Sequence, residues 1–442
     1  MRGWAPVAAV ALAACTHESA SGLSAKERAV VSLQKGRPEA ALDDLAAARR
    51  EAPEDLDLAR LEVEANAKLG RLDALISRLD AQKARPSAVT WYMLGLAQFA
   101  RAADAEPAAS AFHQALQLAP QSAEIHYRLG VALLESEHYE QALPPLEKAR
   151  ELAPEREGIA LPLAKALYRT GRRGEAVEAL RKLVSQNPTP REIETARALM
   201  DAIADPFVGI PQAARAKIDE GLNWLQIRES PDNAILSFED VLHEYPDLAG
   251  VHALLGLAYE KIDDAGLAVD ELRRATELAP DDGKTLFYLG DLYASRQRVD
   301  QARDCLEKAI AKNPLLDAAY ARLGDLALDR RDLPRAREYY RILCVLQPDS
   351  PPARGKLALA LQLDGDFAGA EKELKRVLDK DEDNVEFMLR LGMLFAEKYA
   401  HTSRPEERAK AATDGVKWLE EVLKRQPDNA LASRALDSLK PR

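Results

Sequence analysis

From about residue 22 onward, apolar positions recur three and four residues apart in runs of about a dozen, the period of an amphipathic helix, and polar turns separate the runs. The runs come in pairs, and the pairs repeat. Ala234, Ala268, Ala302, Ala336 and Ala370 stand 34 residues apart, as do Pro246, Pro280, Pro314 and Pro348. Gly256, Gly290 and Gly324 keep the same spacing, with Gly392 two periods further on. In "GVHALLGLAYEKIDDAGLAVDELRRATELAPDD", Leu255 and Tyr259 fall on the inward stripe of a first helix and Leu272 on that of a second. Gly256 and Ala268 are small where those helices have to cross closely. Pro280 stops the second helix, and Asp281 or Asp282 can cap the next. One such pair cannot cover its own apolar side, so neighbours must stack into a solenoid.

A period of 34 with these landmarks resembles the tetratricopeptide repeat, a helix-turn-helix unit. The resemblance implies an all-α fold, a right-handed superhelical solenoid of about eleven repeats in two arrays. In this phase units begin at residues 22, 56, 88, 123, 157, 215, 249, 283, 317, 351 and 385. The unit from 56 is degenerate, with Glu62-Val63 where Leu-Gly is usual. The last unit is lengthened by "EKYAHTSRPEERAK", and residues 430–442 read as a capping helix and tail. Pro188 and Pro246 are 58 residues apart, one period plus 24. Residues 191–214 therefore read as an inserted helix and loop between an N-terminal array, 22–190, and a C-terminal array, 215–429.

The start of the chain does not follow the repeat. Arg2 precedes an apolar run from Trp4 to Ala14 that is about half a membrane span, so residues 1–14 read as a signal peptide and no anchor. Leu12-Ala13-Ala14-Cys15 resembles the lipobox of bacterial lipoproteins. That resemblance implies cleavage before Cys15, lipidation of its thiol and a short lipidated tether over 15–21. Thr16, in place of an aspartate, points to the outer membrane and its periplasmic face, with inner-membrane anchoring left open.

The formal net charge of -11 argues against nucleic acid or an anionic membrane surface as the main partner. Without Cys15 only Cys305 and Cys344 remain, too few for a disulfide framework, and their spacing makes them small buried thiols. Gly283-Lys284-Thr285 lacks the earlier glycine of a phosphate-binding loop, since Leu278 stands there. Asp379, Asp381 and Asp383 have calcium-loop spacing, but Asn384 and Arg390 replace the required glycine and glutamate. The histidines form no metal motif; His126 and His252 share the repeat's large inward slot and read as core. No catalytic residue, metal, cofactor or small-molecule substrate is expected, and the chain does not read as an enzyme.

The tetratricopeptide resemblance implies that protein partners lie in a concave groove lined by first-helix positions two, five, nine and twelve. In the unit from 88 these are Val89, Tyr92, Leu96 and Phe99, beside the packing stripe of Trp91 and Leu94. "VTWYMLGLAQFA" is thus apolar nearly all round, and such a helix is either fully buried or meets a partner. Tyr127, Val131 and Leu134 continue the stripe, followed by Leu161 and Tyr168. One reading makes Tyr92, Phe99, Tyr127 and Tyr168 anchors for an apolar or helical partner segment. The other has the chain cover the stripe itself, by superhelical closure or by Phe207 folding back. Together the two resemblances imply a lipid-anchored scaffold on the periplasmic face of a bacterial membrane. It would bind protein partners while an envelope machine assembles, whether for pili, secretion, surface motility or outer-membrane protein insertion. A cytosolic adaptor or co-chaperone is the alternative, although Asn223 stands nearly alone where a carboxylate clamp is needed; an accessory regulator of a cell-wall enzyme is a third reading.

Overall fold

The turn inside each hairpin shows how local chemistry sets the architecture. Its second-last residue before the second helix takes a positive φ wherever the repeat is regular: Gly36, Gly70, Gly171 and Gly365, but also Glu137, Glu229, Asp263, Gln297 and Arg331. Glycine enters that region freely and other residues at a cost. The following amide then reaches back to close the first helix, as Asp264 does to the carbonyl of Tyr259 at 3.0 Å. Asp264, Asp332 and Asp366 also cap the second helices, accepting from the amides of Leu267, Arg335 and Gly369.

The structure is a computed structural model and describes residues 23–82, 86–101, 105–204 and 210–439. The signal peptide, Cys15, its tether and Phe207 lie outside the described residues. Those described form helices and no strand. They divide into two compact units, the first ending at Gln186.

The first unit holds five hairpins. They are α1 (Ala25–Gln34) with α2 (Pro38–Glu51), α3 (Leu56–Lys68) with α4 (Leu72–Ala81), and α5 (Ala88–Arg101) with α6 (Glu106–Leu118). Then come α7 (Ala123–Glu135) with α8 (Tyr139–Leu152), and α9 (Ala160–Arg169) with α10 (Arg173–Ser185). The second unit opens on a single helix, α11 (Pro190–Ile203). Six hairpins follow it, beginning with α12 (Gln212–Gln226) and α13 (Pro231–Glu244), then α14 (Ala249–Lys261) and α15 (Ala265–Leu278). Next are α16 (Gly283–Ser295) and α17 (Val299–Lys312), then α18 (Asp317–Asp329) and α19 (Leu333–Leu346). The last two are α20 (Pro351–Leu363) with α21 (Phe367–Leu378), and α22 (Val385–His401) with α23 (Pro405–Arg425). The helix α24 (Ala430–Leu439) closes the unit against both α22 and α23.

Within each unit the second helix of one hairpin packs on the first helix of the next, as α6 does on α7 and α19 on α20. The small landmark residues sit at the crossings. A Cβ on Gly256 would lie 2.7 Å from Cγ of Leu272 and 3.1 Å from the carbonyl of Ala268, so the close approach read from the sequence is real. In the last hairpin the added residues are absorbed as helix, with α22 and α23 running to 17 and 21 residues.

α11 is tied to the second unit by charge. Arg197 pairs with Asp317 at 2.8 Å and donates to the carbonyl of Leu346, while Lys284 pairs with Asp201 at 2.7 Å. Gln347 donates to the same Asp317 carboxylate. Lys284 belongs to the Gly-Lys-Thr triplet, which here is the capped start of α16, with Asp282 accepting from the Lys284 amide.

Candidate partner-binding surfaces

The apolar stripe of α5 is core. Val89, Tyr92 and Leu96 are buried, and Tyr92 has no exposed surface at all. α3, α4 and α6 all pack against α5, and seven of its residues, from Val89 to Ala97, are buried. The Tyr92 ring meets Phe112 at 6.0 Å between centroids, and its hydroxyl donates to Glu124 Oε1 at 2.7 Å. Tyr92 therefore cannot anchor a partner. Leu134 on α7 is buried as well. Of the eight groove positions read from the sequence, Phe99, Tyr127, Val131 and Tyr168 are left half-buried.

What covers Tyr92 is a charged cluster that the apolar pattern did not reveal. Glu124 accepts from Tyr92 and from Nε of Arg128 at 2.8 Å, and it pairs with Arg156. Burial works against the charge on Glu124, yet Arg128 and Arg156 outweigh it and hold the carboxyl down at about 2. The same burial pushes the Tyr92 phenol well above its ordinary value. The signal available in the sequence was the pairing of Glu124 with Arg128 four residues on, in helix register.

Tyr127 stands beside this cluster. The Arg156 guanidinium lies 4.6 Å from its ring centroid and that of Arg128 5.3 Å. Phe99 packs on the edge of the core that holds Tyr92. Phe99, Tyr127, Val131 and Tyr168 thus present ring and aliphatic surface on the first helices of three successive hairpins.

The two histidines read as core are not core. His252 bridges the carbonyl of Pro246 at 2.9 Å and Glu271 at 2.6 Å, and the Glu271 contact raises its pKa above the ordinary value. His126 bonds the carbonyl of Pro120 at 3.0 Å and is half-buried. A polar slot that staples the inter-repeat turn explains both better than packing does. Cys305 and Cys344 are free thiols, and burial pushes the Cys344 thiol up to about 12. Among the described residues no group of histidine, cysteine or carboxylate side chains is arranged to hold a metal ion.

Family profiles described as tetratricopeptide repeat match residues 92–157, 287–351 and 356–404, residues 133–200, and residues 249–282. Together they cover more than half of the chain. The chain is a tetratricopeptide repeat protein. The match over 133–200 runs on into α11, which begins about one period after the unit from 157. Among curated proteins, this tetratricopeptide chain is 25% identical over 262 residues to protein O-mannosyl-transferase TMTC1 of Homo sapiens. The matched stretch is 58% of this chain and 25% of that protein, so the chain spans only a quarter of its relative's length. Among solved structures it is similar to YrrB, titled a TPR protein with an unusual peptide-binding site, at 20% identity and a TM-score of 0.40. That alignment covers 45% of this chain and 97% of YrrB. Pseudomonas aeruginosa pilF aligns at 22% identity over 52% of this chain and 98% of its own, with a TM-score of 0.40. PilW, titled a type IV pilus biogenesis factor, aligns at 19% identity over 51% of this chain and all of its own, also at 0.40.

Proposed function

We propose that this protein is a non-catalytic scaffold that holds protein partners on the first-helix face of its N-terminal array. We place it on the periplasmic face of a bacterial outer membrane, anchored through lipid on Cys15, where it serves assembly of an envelope machine. The observation that carries the binding reading is the row Phe99, Tyr127, Val131 and Tyr168, half-buried along three successive hairpins with Arg156 over the middle ring. Aromatic groups with a flanking arginine are the residue types that dominate protein contacts. The Leu12-Ala13-Ala14-Cys15 sequence supports the anchor.

Two variants test the two halves separately. Cys15→Ser should move the protein from the membrane pellet to the soluble fraction; a variant that stays with the membrane refutes the lipid anchor. Phe99→Glu with Tyr168→Glu should abolish co-purification of partners from detergent-solubilised envelopes while helicity and melting stay near wild type. Unchanged capture by a folded double variant refutes the binding face.

A further inference from the structure

In the unit from 351 a groove of about 450 Å³ runs between the second helices α19 and α21, with residues of α20 between them. Its lining lies wholly in the second unit. Leu357 and Leu361 of α20 are buried beneath it, and Val345 and Pro348 add half-buried apolar surface. The walls carry charge. Arg337 and Arg341 stand one turn apart on α19, Lys372 and Arg376 one turn apart on α21, and Arg354 belongs to α20. Against these five cations the lining holds two carboxylates, Asp366 and Glu373, a local excess of three positive charges in a chain of net charge -11.

Most of these charges are engaged within the chain. Glu373 is buried and takes Arg354 and Arg376, each at 2.7 Å. Arg337 pairs with Asp364, and Asp366 accepts from the Gly369 amide as the cap of α21. Arg341 and Lys372 remain. Both are exposed, and among the described residues neither has a hydrogen bond or ion pair. The repeat supplies a comparison for them. One period earlier their places are held by Glu307 and Glu338, and three periods earlier by Glu239 and Asp270. Two periods earlier they are Arg273 and Asp304, which line the groove of the unit from 283. Both of those are engaged, Arg273 with the Tyr293 hydroxyl at 2.9 Å and Asp304 with Lys308 at 2.8 Å. Stacking of the hairpins therefore does not require two free cations at these positions.

We infer that the groove between α19 and α21 is a docking site for an acidic segment of a partner protein, separate from the row of Phe99, Tyr127, Val131 and Tyr168. Carboxylates of the segment pair with Arg341 and Lys372, and an apolar side chain of it rests against Val345 and Pro348. Charge selects this occupant. A basic segment meets a surplus of like charge and leaves both free cations unpaired. A long polyanion such as nucleic acid meets the negative charge of the whole chain. A short acidic segment inside the groove feels the local surplus instead, because salt confines each charge to about 8 Å at physiological ionic strength.

The test uses the full chain and fluorescence anisotropy of a short peptide of glutamate and leucine. Two control peptides carry glutamine or lysine in place of every glutamate. Wild type should bind the glutamate peptide about tenfold more tightly than the glutamine one, and the margin should narrow at high salt. Arg341→Glu with Lys372→Glu, which gives the groove the signs of Glu307 and Glu338, should reverse the order, so that the lysine peptide binds better than the glutamate one. A gain of binding does not arise from misfolding. Lys35→Glu with Lys410→Glu makes the same change in net charge at exposed sites elsewhere and should keep the wild-type preference. Equal affinity for the glutamate and glutamine peptides overturns the proposal. So does a preference that survives the reversal of Arg341 and Lys372, or one that the Lys35 and Lys410 pair abolishes. Vesicles of phosphatidylglycerol and phosphatidylcholine form the last arm. Adsorption by wild type that the Arg341 and Lys372 variant loses overturns the proposal in favour of a lipid-facing patch.

Discussion

Replacing Glu124 by glutamine removes one charge and keeps the shape. The carboxylate takes the Tyr92 hydroxyl, Nε of Arg128 and the Arg156 guanidinium, with only about a fifth of the Glu124 and Arg128 side chains exposed. Glutamine keeps one acceptor oxygen and leaves two guanidinium groups facing a neutral amide. Burial opposes the charge, the two arginines overcome it, and the carboxyl falls from 4.5 to about 2. At about 1.4 kcal/mol per pKa unit, that depression bounds the contribution at roughly 3 kcal/mol. Breaking a buried ion pair costs the same order. The folded value lies below the unfolded one, so the stabilisation is complete above about pH 4.5 and is lost as pH falls through about 2. The assay is hydrogen exchange by mass spectrometry on segments from α5 and α7, corrected for intrinsic rates, from neutral pH downward. At neutral pH the variant should open up to about a hundredfold more often there, with the second unit unchanged. The difference between the two proteins should shrink on acidification. Equal protection at neutral pH refutes the reasoning, and so does a difference that acid leaves intact.

Gly130→Ala would drive a Cβ into the Leu146 side chain and to 3.3 Å from the Ala142 carbonyl, and should cost about 1–3 kcal/mol, read as a lower melting temperature. Gln297→Gly relieves a φ of 59° at an exposed turn and should raise stability by a few tenths to about 1 kcal/mol in urea titration; a loss would mean that the turn tolerates glutamine without strain. His252 should titrate above 6.5 by NMR, because Glu271 favours its charged form, and Glu271→Gln should return it downward. Its contribution is complete below the unfolded value and fades as pH rises through the folded one.

The sequence by itself determined the hairpins, because what makes them is local and repeats. Gly256 opposite Leu272 and the prolines that recur after second helices act within 34 residues, so spacing alone revealed them; the left-handed turn residue, as often Glu, Asp, Gln or Arg as glycine, emerged only from the structure. The half-buried row of Phe99, Tyr127 and Tyr168 was legible too, as a stripe at helical spacing. Whether a stripe is bare is a different matter, because it depends on what the neighbouring hairpins bring. Tyr92 has the same register as Tyr127, yet it is sealed by Phe112, by the helices of the degenerate unit and by a carboxylate 32 residues away. The tertiary structure likewise decided that α11, one short helix among many, is held by Asp317 and Lys284 from hairpins more than 80 residues further along the chain. It also decided that His126 lacks what His252 has. Periodicity records that a position is polar or apolar. Only packing decides whether its partner is there, because burial and ion pairing are set by the atoms that come to lie opposite.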